Sequence, residues 1–226
     1  MQTEDREFGR FTILLCVLVV FMCVLPFISE VGIGAILLRI GTSLLLLTAV
    51  YSASERRWHL VLAILLALPA IATQIFPTLL GDPGTLMLRM GMSALLLTYI
   101  AVLVTVFLLK QNRVSADMIL GAVNAYLLLA LAFMFLHAFV EISHPGSYLY
   151  QGDSLSAVLK GHFEVGALAF LLYFSLVTLT TLGYGDIAPA VPAARMLCSF
   201  EAVIGQLFVA VFIARLVSLH IGRKSE

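Results

Sequence analysis

Six apolar runs make up most of this chain, and their length limits what it can fold into. They lie at about 11–28, 33–52, 58–76, 86–109, 115–141 and 193–219. Each run is close to or above the roughly 20 residues that an α-helix needs to cross the hydrocarbon core of a bilayer. The composition agrees, because only 12% of the residues are charged, against about 25% in a soluble domain. The sequence therefore predicts an all-α membrane protein with six transmembrane helices.

A seventh apolar segment, at about 164–180, is shorter and lies between the last two spans. It leads directly into the sequence Thr181-Leu182-Gly183-Tyr184-Gly185-Asp186. A helix of this length fits a re-entrant segment better than a full crossing. We therefore predict that 164–180 enters the membrane, turns and leaves on the side from which it came.

The charges between the spans predict the orientation. Basic residues cluster in three regions that fall on one side: Arg56, Arg57, Lys110, Arg113, Arg223 and Lys224. The remaining regions are acidic apart from one lysine: Glu30, Asp82, Asp153, Lys160 and Asp186. The positive-inside rule then puts both termini in the cytoplasm and directs the stretch 142–192 outward. The formal net charge of zero gives no support for nucleic-acid binding.

An internal repeat divides the chain into two modules. The sequence Leu38-Arg39-Ile40-Gly41-Thr42-Ser43 recurs 50 residues later as Leu88-Arg89-Met90-Gly91-Met92-Ser93. Arg, Gly and Ser shared at one offset favour two related hairpins, spans one with two and spans three with four. The repeat does not reach spans five and six. We therefore predict a four-span bundle at 1–112 and a second module at 113–226.

The segment from Thr181 to Gly185 suits a chain that must replace the hydration shell of a cation. Rings of backbone carbonyls from several chains can do this around one axis. Gly183 and Gly185 can take positive φ at little cost. Alternating these glycines with Leu182 and Tyr184 lets successive carbonyls face the axis while the side chains point away. The Thr181 hydroxyl adds an oxygen at the inner end.

The stretch from Phe174 to Asp186 resembles the pore signature of tetrameric potassium channels, whose usual filter reads Thr-Val-Gly-Tyr-Gly. Leu182 stands in place of the valine. The resemblance covers about residues 117–219 and implies a potassium-selective pore in a homotetramer, because each chain carries one filter motif. It also implies that K+, with no other cofactor, is held by the Thr181 hydroxyl and by four backbone carbonyls: those of Thr181, Leu182, Gly183 and Tyr184.

The resemblance also implies the layout of the second module. Its parts are an outer helix at 115–141, an extracellular loop at 142–163, a pore helix at 164–180, a filter at 181–186 and an inner helix at 193–219. The inner helix contains Glu201-Ala202-Val203-Ile204-Gly205-Gln206-Leu207, which is similar to prokaryotic members. Gly205 is the candidate hinge, and the family alignment directs Gln206 toward the pore axis. The candidate cavity and gate residues share the face of Gln206: Val209, Ile213 and Val217.

Four residues are candidates to support the filter: Tyr173, Thr180, Asp186 and Glu201. Many relatives have a pore-helix carboxylate facing this aspartate, but the matching residue here is Val177. Tyr173 matches the place of an aromatic donor in other relatives, so a hydrogen bond to Asp186 is expected. Glu201 lies inside a span, where ionisable residues are costly and mark function. For His137, a hydrogen-bonded packing role is favoured over proton sensing.

The sequence predicts neither steep voltage sensing nor a cytosolic regulatory domain. A voltage sensor needs several arginines along span four, whereas this span carries only Arg89, with Arg39 in the matching place on span two. Both are expected to snorkel outward or to pair with Glu30 or Asp82. About ten residues precede the first span and about seven follow the last.

The sequence does not determine how the pore opens. The alternatives are constitutive leak, gating at the filter, control by lipid or membrane tension, pH sensed by His144 or His162, and a separate regulatory subunit. The linker from Lys110 to Val114 is short, which predicts a tetramer without domain swapping.

These features favour a passive potassium channel in a prokaryotic cell (inner) membrane, with lipid and K+ as partners. An enzyme is not expected, because the sequence offers no nucleophile with a base, no metal-ligand cluster and no phosphate loop. Two alternatives stay open. One is a weakly selective monovalent cation channel, and the other is an ion-coupled transporter, which would need a substrate site at mid-membrane.

Overall fold

The computed structural model describes residues 2–28, 34–52, 57–76, 84–112, 114–159 and 163–222. The helices are α1 (Gln2–Ile28), α2 (Gly34–Ser52), α3 (Arg57–Ile75), α4 (Gly84–Lys110), α5 (Ala116–Ser143), α6 (Leu155–Val158), α7 (Phe163–Leu179) and α8 (Pro192–Gly222). The strands are β1 (Tyr148–Tyr150), β2 (Asp153–Ser154) and β3 (Ile187–Pro189).

Five of the described helices, α2, α3, α4, α5 and α8, are long and apolar enough to cross a membrane. The apolar part of α1, Phe11–Phe27, and that of α7, Gly166–Leu179, are shorter. A short apolar part is expected for α7 if it is a re-entrant helix. That α1 forms a sixth span stays a prediction. The observed helix ends lie within three residues of the predicted ones, except that α1 begins at Gln2 rather than near residue 11.

The four-helix bundle packs directly on the second module of the same chain. Helix α4 runs along α5, and α1 contacts both α5 and α7. Helices α4 and α5 approach closely at Gly121, where a Cβ atom would lie 2.8 Å from Cδ2 of Leu108. The Asn124 side-chain amide donates to the Phe11 carbonyl at 2.8 Å. Only the residues 111–115 separate α4 from α5, so the connection joins neighbouring antiparallel helices.

The two repeat-related arginines lie at one cavity between the four-helix bundle and the second module. Arg39 and Arg89 line one small cavity together with Gln74. The Gln74 Oε1 atom accepts from the hydroxyls of Thr42 at 3.1 Å and Ser43 at 2.7 Å. Arg89 is only 5% exposed. The prediction that this side chain snorkels outward is therefore wrong, because it lies at a cavity lined by α2, α3, α4, α5 and α7. The acids Glu30 and Asp82 lie outside the described residues.

The loop predicted at 142–163 is more ordered than the sequence suggests. It forms β1, β2 and α6, and β1 pairs in antiparallel fashion with both β2 and β3. Gln151 and Gly152 have φ of 52° and 96°, which is typical of a two-residue type I′ hairpin. Strands of two or three residues give no detectable periodicity, so the sequence analysis missed them. Because β3 follows Asp186, this small sheet is joined to the end of the predicted filter.

Candidate functional site

The predicted filter begins where α7 ends. The helical hydrogen bonds are followed by a turn. In this turn the amides of Leu182 and Gly183 both donate to the Val177 carbonyl, at 2.8 and 3.3 Å. The Thr181 amide donates to Thr178 at 2.9 Å. The chain thus reverses tightly at the C-terminal end of α7 and leads into the three-stranded sheet.

The backbone of the filter alternates between two conformations. Thr181, Gly183 and Gly185 have φ of 58°, 59° and 79°, whereas Leu182 and Tyr184 between them do not have positive φ. The two glycines take the conformation that the sequence predicts for them. Thr181 was not foreseen in this role. A β-branched residue with positive φ is a genuine outlier, and such strain is typical of functional sites.

One chain leaves the filter open on one side. The side chains of Leu182 and Tyr184 are 56% and 68% exposed. A Cβ atom added to Gly183 or Gly185 would meet nothing within 4 Å. Within the single chain these large side chains and the two glycine positions are therefore uncovered.

Tyr173 is the side chain beside the filter that the sequence singled out. Its ring is parallel to that of Tyr184, with 6.4 Å between centroids. Its hydroxyl lies near the carboxylate of Asp186, and the hydrogen bond between them stays a prediction. Thr180 lies differently: its hydroxyl donates at 2.7 Å to the Leu176 carbonyl, which extends the end of α7.

The inner helix approaches the filter at two adjacent residues. The Gln206 side-chain amide donates to the Thr181 hydroxyl at 3.1 Å. A Cβ atom at Gly205 would lie 2.1 Å from the Leu179 carbonyl oxygen, so only glycine permits this contact. The candidate gate residues are all exposed in the single chain: Val209, Ile213 and Val217.

Glu201 lies in a fully buried hydrogen-bonded cluster. Its Oε2 is 2.8 Å from Nε2 of His137, and His137 Nδ1 is 2.6 Å from the Tyr148 hydroxyl. On the other side, the Ser175 hydroxyl is 2.5 Å from Glu201 Oε1 and 2.7 Å from the Ala130 carbonyl. The cluster joins α5, α7, α8 and β1. Sequence reasoning singled out Glu201 and His137 separately but could not pair them.

A second buried acid, Glu141, was missed. Its Oε1 accepts from the Gly146 amide and its Oε2 from the Tyr148 amide, both at 3.0 Å. It thereby fixes the turn between α5 and β1. Burial also raises the pKa of the Tyr148 hydroxyl, so this group keeps its proton and acts as a donor. The outer histidine His144 is exposed, and His162 lies outside the described residues.

Parts of this chain are similar in sequence to known proteins. Residues 122–220 match the family described as "Ion channel". The two pore potassium channel c of Oryza sativa subsp. japonica is 41% identical over 88 residues, which is 37% of this chain and 19% of the rice protein. Protein LctB of Bacillus caldotenax is 29% identical over 125 residues, which is 55% of this chain and 89% of LctB.

The chain thus spans about a fifth of the length of the rice relative and most of LctB. No solved structure matches. The region 122–220 contains most of α5, all of α7, the predicted filter and nearly all of α8. The matches point to an ion channel and not to an enzyme.

Proposed function

We propose that this ion channel conducts potassium selectively and passively, with Thr181 to Gly185 as its selectivity filter. The observation that carries the proposal is the alternation of positive φ at Thr181, Gly183 and Gly185. When φ alternates in sign from one residue to the next, successive carbonyls can point to the same side of the segment. The oxygens of Thr181 to Tyr184 and the Thr181 hydroxyl would then replace the water around a K+ ion.

Helix α7 supports a cation at the inner end of this segment. Its C-terminal end, at Leu179, adjoins Thr181. The C-terminal end of a helix carries a partial negative charge equivalent to about half an elementary charge. Four such ends around one axis would favour a cation over an anion.

A homotetramer is part of the proposal. One chain supplies one filter strand, and a ring of four carbonyls needs four strands. Helix α8 supports this, since Glu201 and Gly205 on one face are buried, while Phe200, Val203 and Leu207 are each more than half exposed. Neighbouring chains and lipid would cover these side chains.

The further features of the proposal rest on the sequence and on the relatives. The rice relative is called a potassium channel, and LctB comes from a bacterium, which supports a potassium channel of a prokaryotic cell membrane. The basic loops support cytoplasmic termini, with α1 as a sixth span. Since α4 carries one arginine in its described length, Arg89, conductance should depend weakly on voltage.

The test is the reversal potential of the purified protein in planar bilayers. With opposed potassium and sodium gradients it should follow the potassium gradient, and barium, close to K+ in size but doubly charged, should block the current. Equal permeability to sodium would instead identify a weakly selective cation channel. Electrically silent flux that requires a second solute would identify a transporter. Either result would refute the proposal.

Domain arrangement gives a separate prediction. Cysteines at Leu108 and Gly121 should form a disulfide within one chain, because a Cβ atom at residue 121 would lie 3.6 Å from Cγ of Leu108, which is about where the sulfur of a cysteine at 108 would lie. Disulfide Cβ atoms lie about 3.5–4.5 Å apart. The three native cysteines, Cys16, Cys23 and Cys198, would first be replaced by alanine. After oxidation the denatured protein should run as a monomer.

The matched control for this crosslink is Val102→Cys with Gly121→Cys. Val102 is also on α4, but its side chain is about half exposed. The two cysteines of this control should therefore form no disulfide within the chain. Ladders from dimer to tetramer with the Leu108 pair would mean that the bundle packs on a neighbouring chain.

A further inference from the structure

The buried cluster around Glu201 touches elements on both sides of the filter. Ser175 lies in α7, which leads into the filter, and Tyr148 lies in β1, which pairs with the strand after it. His137 and Glu201 connect these two through α5 and α8. Four side chains in the cluster are 0% exposed: His137, Tyr148, Ser175 and Glu201. Bulk solvent does not reach them, so the hydrogen bonds of these side chains are made to one another and to nearby backbone groups.

Ser175 fixes the direction of the hydrogen bonds. A hydroxyl has one proton to donate, and the Ala130 carbonyl, 2.7 Å away, can only accept. If Ser175 donates there, its oxygen must accept from Glu201 Oε1, which lies 2.5 Å away. That contact requires a proton on the carboxyl group of Glu201.

The remaining bonds follow in the same direction. His137 Nε2–H donates to Glu201 Oε2, and the Tyr148 hydroxyl donates to His137 Nδ1. Each of the four contacts then has one donor and one acceptor, and every group is neutral.

An ion pair between His137 and Glu201 satisfies fewer contacts. A charged imidazole donates from both nitrogens, so the Tyr148 hydroxyl would lose its acceptor. Ser175 could then donate to Glu201 or to Ala130 but not to both. Two fully buried charges would also carry a large desolvation cost. Among the described residues, Tyr126, Tyr148 and Cys198 also interact electrostatically with Glu201, and none of these three can supply a positive charge.

We infer that Glu201 is a protonated, neutral carboxylic acid, and that the uncharged chain from Tyr148 through His137, Glu201 and Ser175 to Ala130 positions the pore helix and the outer sheet around the filter. This inference rests on the proposed function for its effect on conduction. Glu201 is a positioning residue, since it touches no part of the filter itself. Its role is to lock α8 to α7 and α5 by hydrogen bonds that require a proton.

The two buried glutamates provide a matched test, because the same substitution should have opposite results. In Glu201→Gln the amide oxygen can accept from His137 and the amide nitrogen can donate to Ser175, which reproduces the neutral acid. In Glu141→Gln an NH2 group replaces one of the two oxygens that accept a backbone N–H. Because NH2 is a donor, the hydrogen bond to that backbone amide is lost. Glu201→Ala leaves the partners of Glu201 unsatisfied.

We expect the potassium-to-sodium permeability ratio of Glu201→Gln to be within about twofold of the wild-type ratio. Its melting temperature should be within a few degrees of the wild-type value. Glu141→Gln and Glu201→Ala should lower the permeability ratio or the yield of tetramer by about tenfold, as expected when buried groups lose their partners. The infrared spectrum of the wild type at pH 7, minus that of Glu201→Gln, should contain the C=O band of a protonated carboxylic acid.

Absence of that band in the wild type would overturn the inference whatever the currents are. A Glu201→Gln protein as damaged as Glu201→Ala would overturn the positioning role of the neutral chain. If the wild type itself is not potassium-selective, the proposed function fails, whereas the infrared band and the relative stability of the three variants still decide the protonation of Glu201.

Discussion

Gly205→Ala should give little or no assembled, conducting channel. The new Cβ atom would lie 2.1 Å from the carbonyl oxygen and 3.0 Å from the carbonyl carbon of Leu179. These are backbone atoms at the end of α7, so no side-chain rotation can relieve the contact. Helix α8 would have to move away from α7 beside the filter. Overpacking of this kind costs about 1–3 kcal/mol per site and occasionally more, and a tetramer would contain it four times.

The same movement would disturb two neighbouring contacts. Gln206 would be drawn away from the Thr181 hydroxyl, and Glu201, one turn earlier on α8, from Ser175 and His137. The Leu179 carbonyl also accepts from the Tyr126 hydroxyl at 3.3 Å, which limits how far it can retreat. We therefore expect loss of tetramer in size-exclusion chromatography and loss of potassium flux from loaded vesicles.

Gly91→Ala is the matched control. Gly91 is also within a helix, but a Cβ atom there would lie 3.7 Å from the Phe139 ring, which is ordinary contact. Alanine is favoured over glycine in a helix by about 1 kcal/mol, so this variant should be as stable as the wild type or more so. A Gly205→Ala channel that assembles normally but opens less often would favour the hinge role predicted from the sequence over the close approach.

The sequence predicted the parts of this fold that local patterns determine. Hydropathy gave the helices because each span must be apolar over its own length. The conformational preference of glycine predicted φ at Gly183 and Gly185. Helix α1 begins earlier than predicted because hydropathy detects burial in lipid rather than helix formation. Its polar start, Gln2 to Arg10, contains Glu, Gln and Arg, which are good helix formers.

The contacts that the sequence did not predict are non-local. His137 and Glu201 are 64 residues apart, and no periodicity relates the registers of α5 and α8. Whether Arg89 is buried depends likewise on how α2, α3 and α4 pack. Positive φ at Thr181 opposes the preference of a β-branched residue. It follows from the turn at the Val177 carbonyl, which only the folded chain contains.

Gly183→Ala should remove potassium selectivity while leaving the fold intact. Gly183 has φ of 59°, a left-handed conformation that costs an L-residue with a Cβ atom roughly 1–2 kcal/mol. A Cβ atom there would meet nothing within 4 Å in its own chain, so the expected penalty from this chain is conformational. One to two kcal/mol shifts a population by a factor of about 5–30. In the proposed tetramer the penalty would occur four times around the axis, so the alanine filter should leave the conformation in which its carbonyls face the ion.

Gly152→Ala separates this effect from a general loss of stability. Gly152 also has positive φ, 96°, with open space at its Cβ position, but it lies in the hairpin between β1 and β2, outside the filter. Both variants should lose a similar amount of thermal stability, whereas only Gly183→Ala should move the reversal potential away from the potassium gradient. If Gly183→Ala remains as selective as the wild type, then the carbonyl of Gly183 does not bind the ion, and the assignment of Thr181 to Gly185 as the filter is wrong. If both variants lose selectivity equally, the cause is strain in the outer region rather than the conformation of the filter, because the substitution at residue 152 changes no carbonyl that could face the axis.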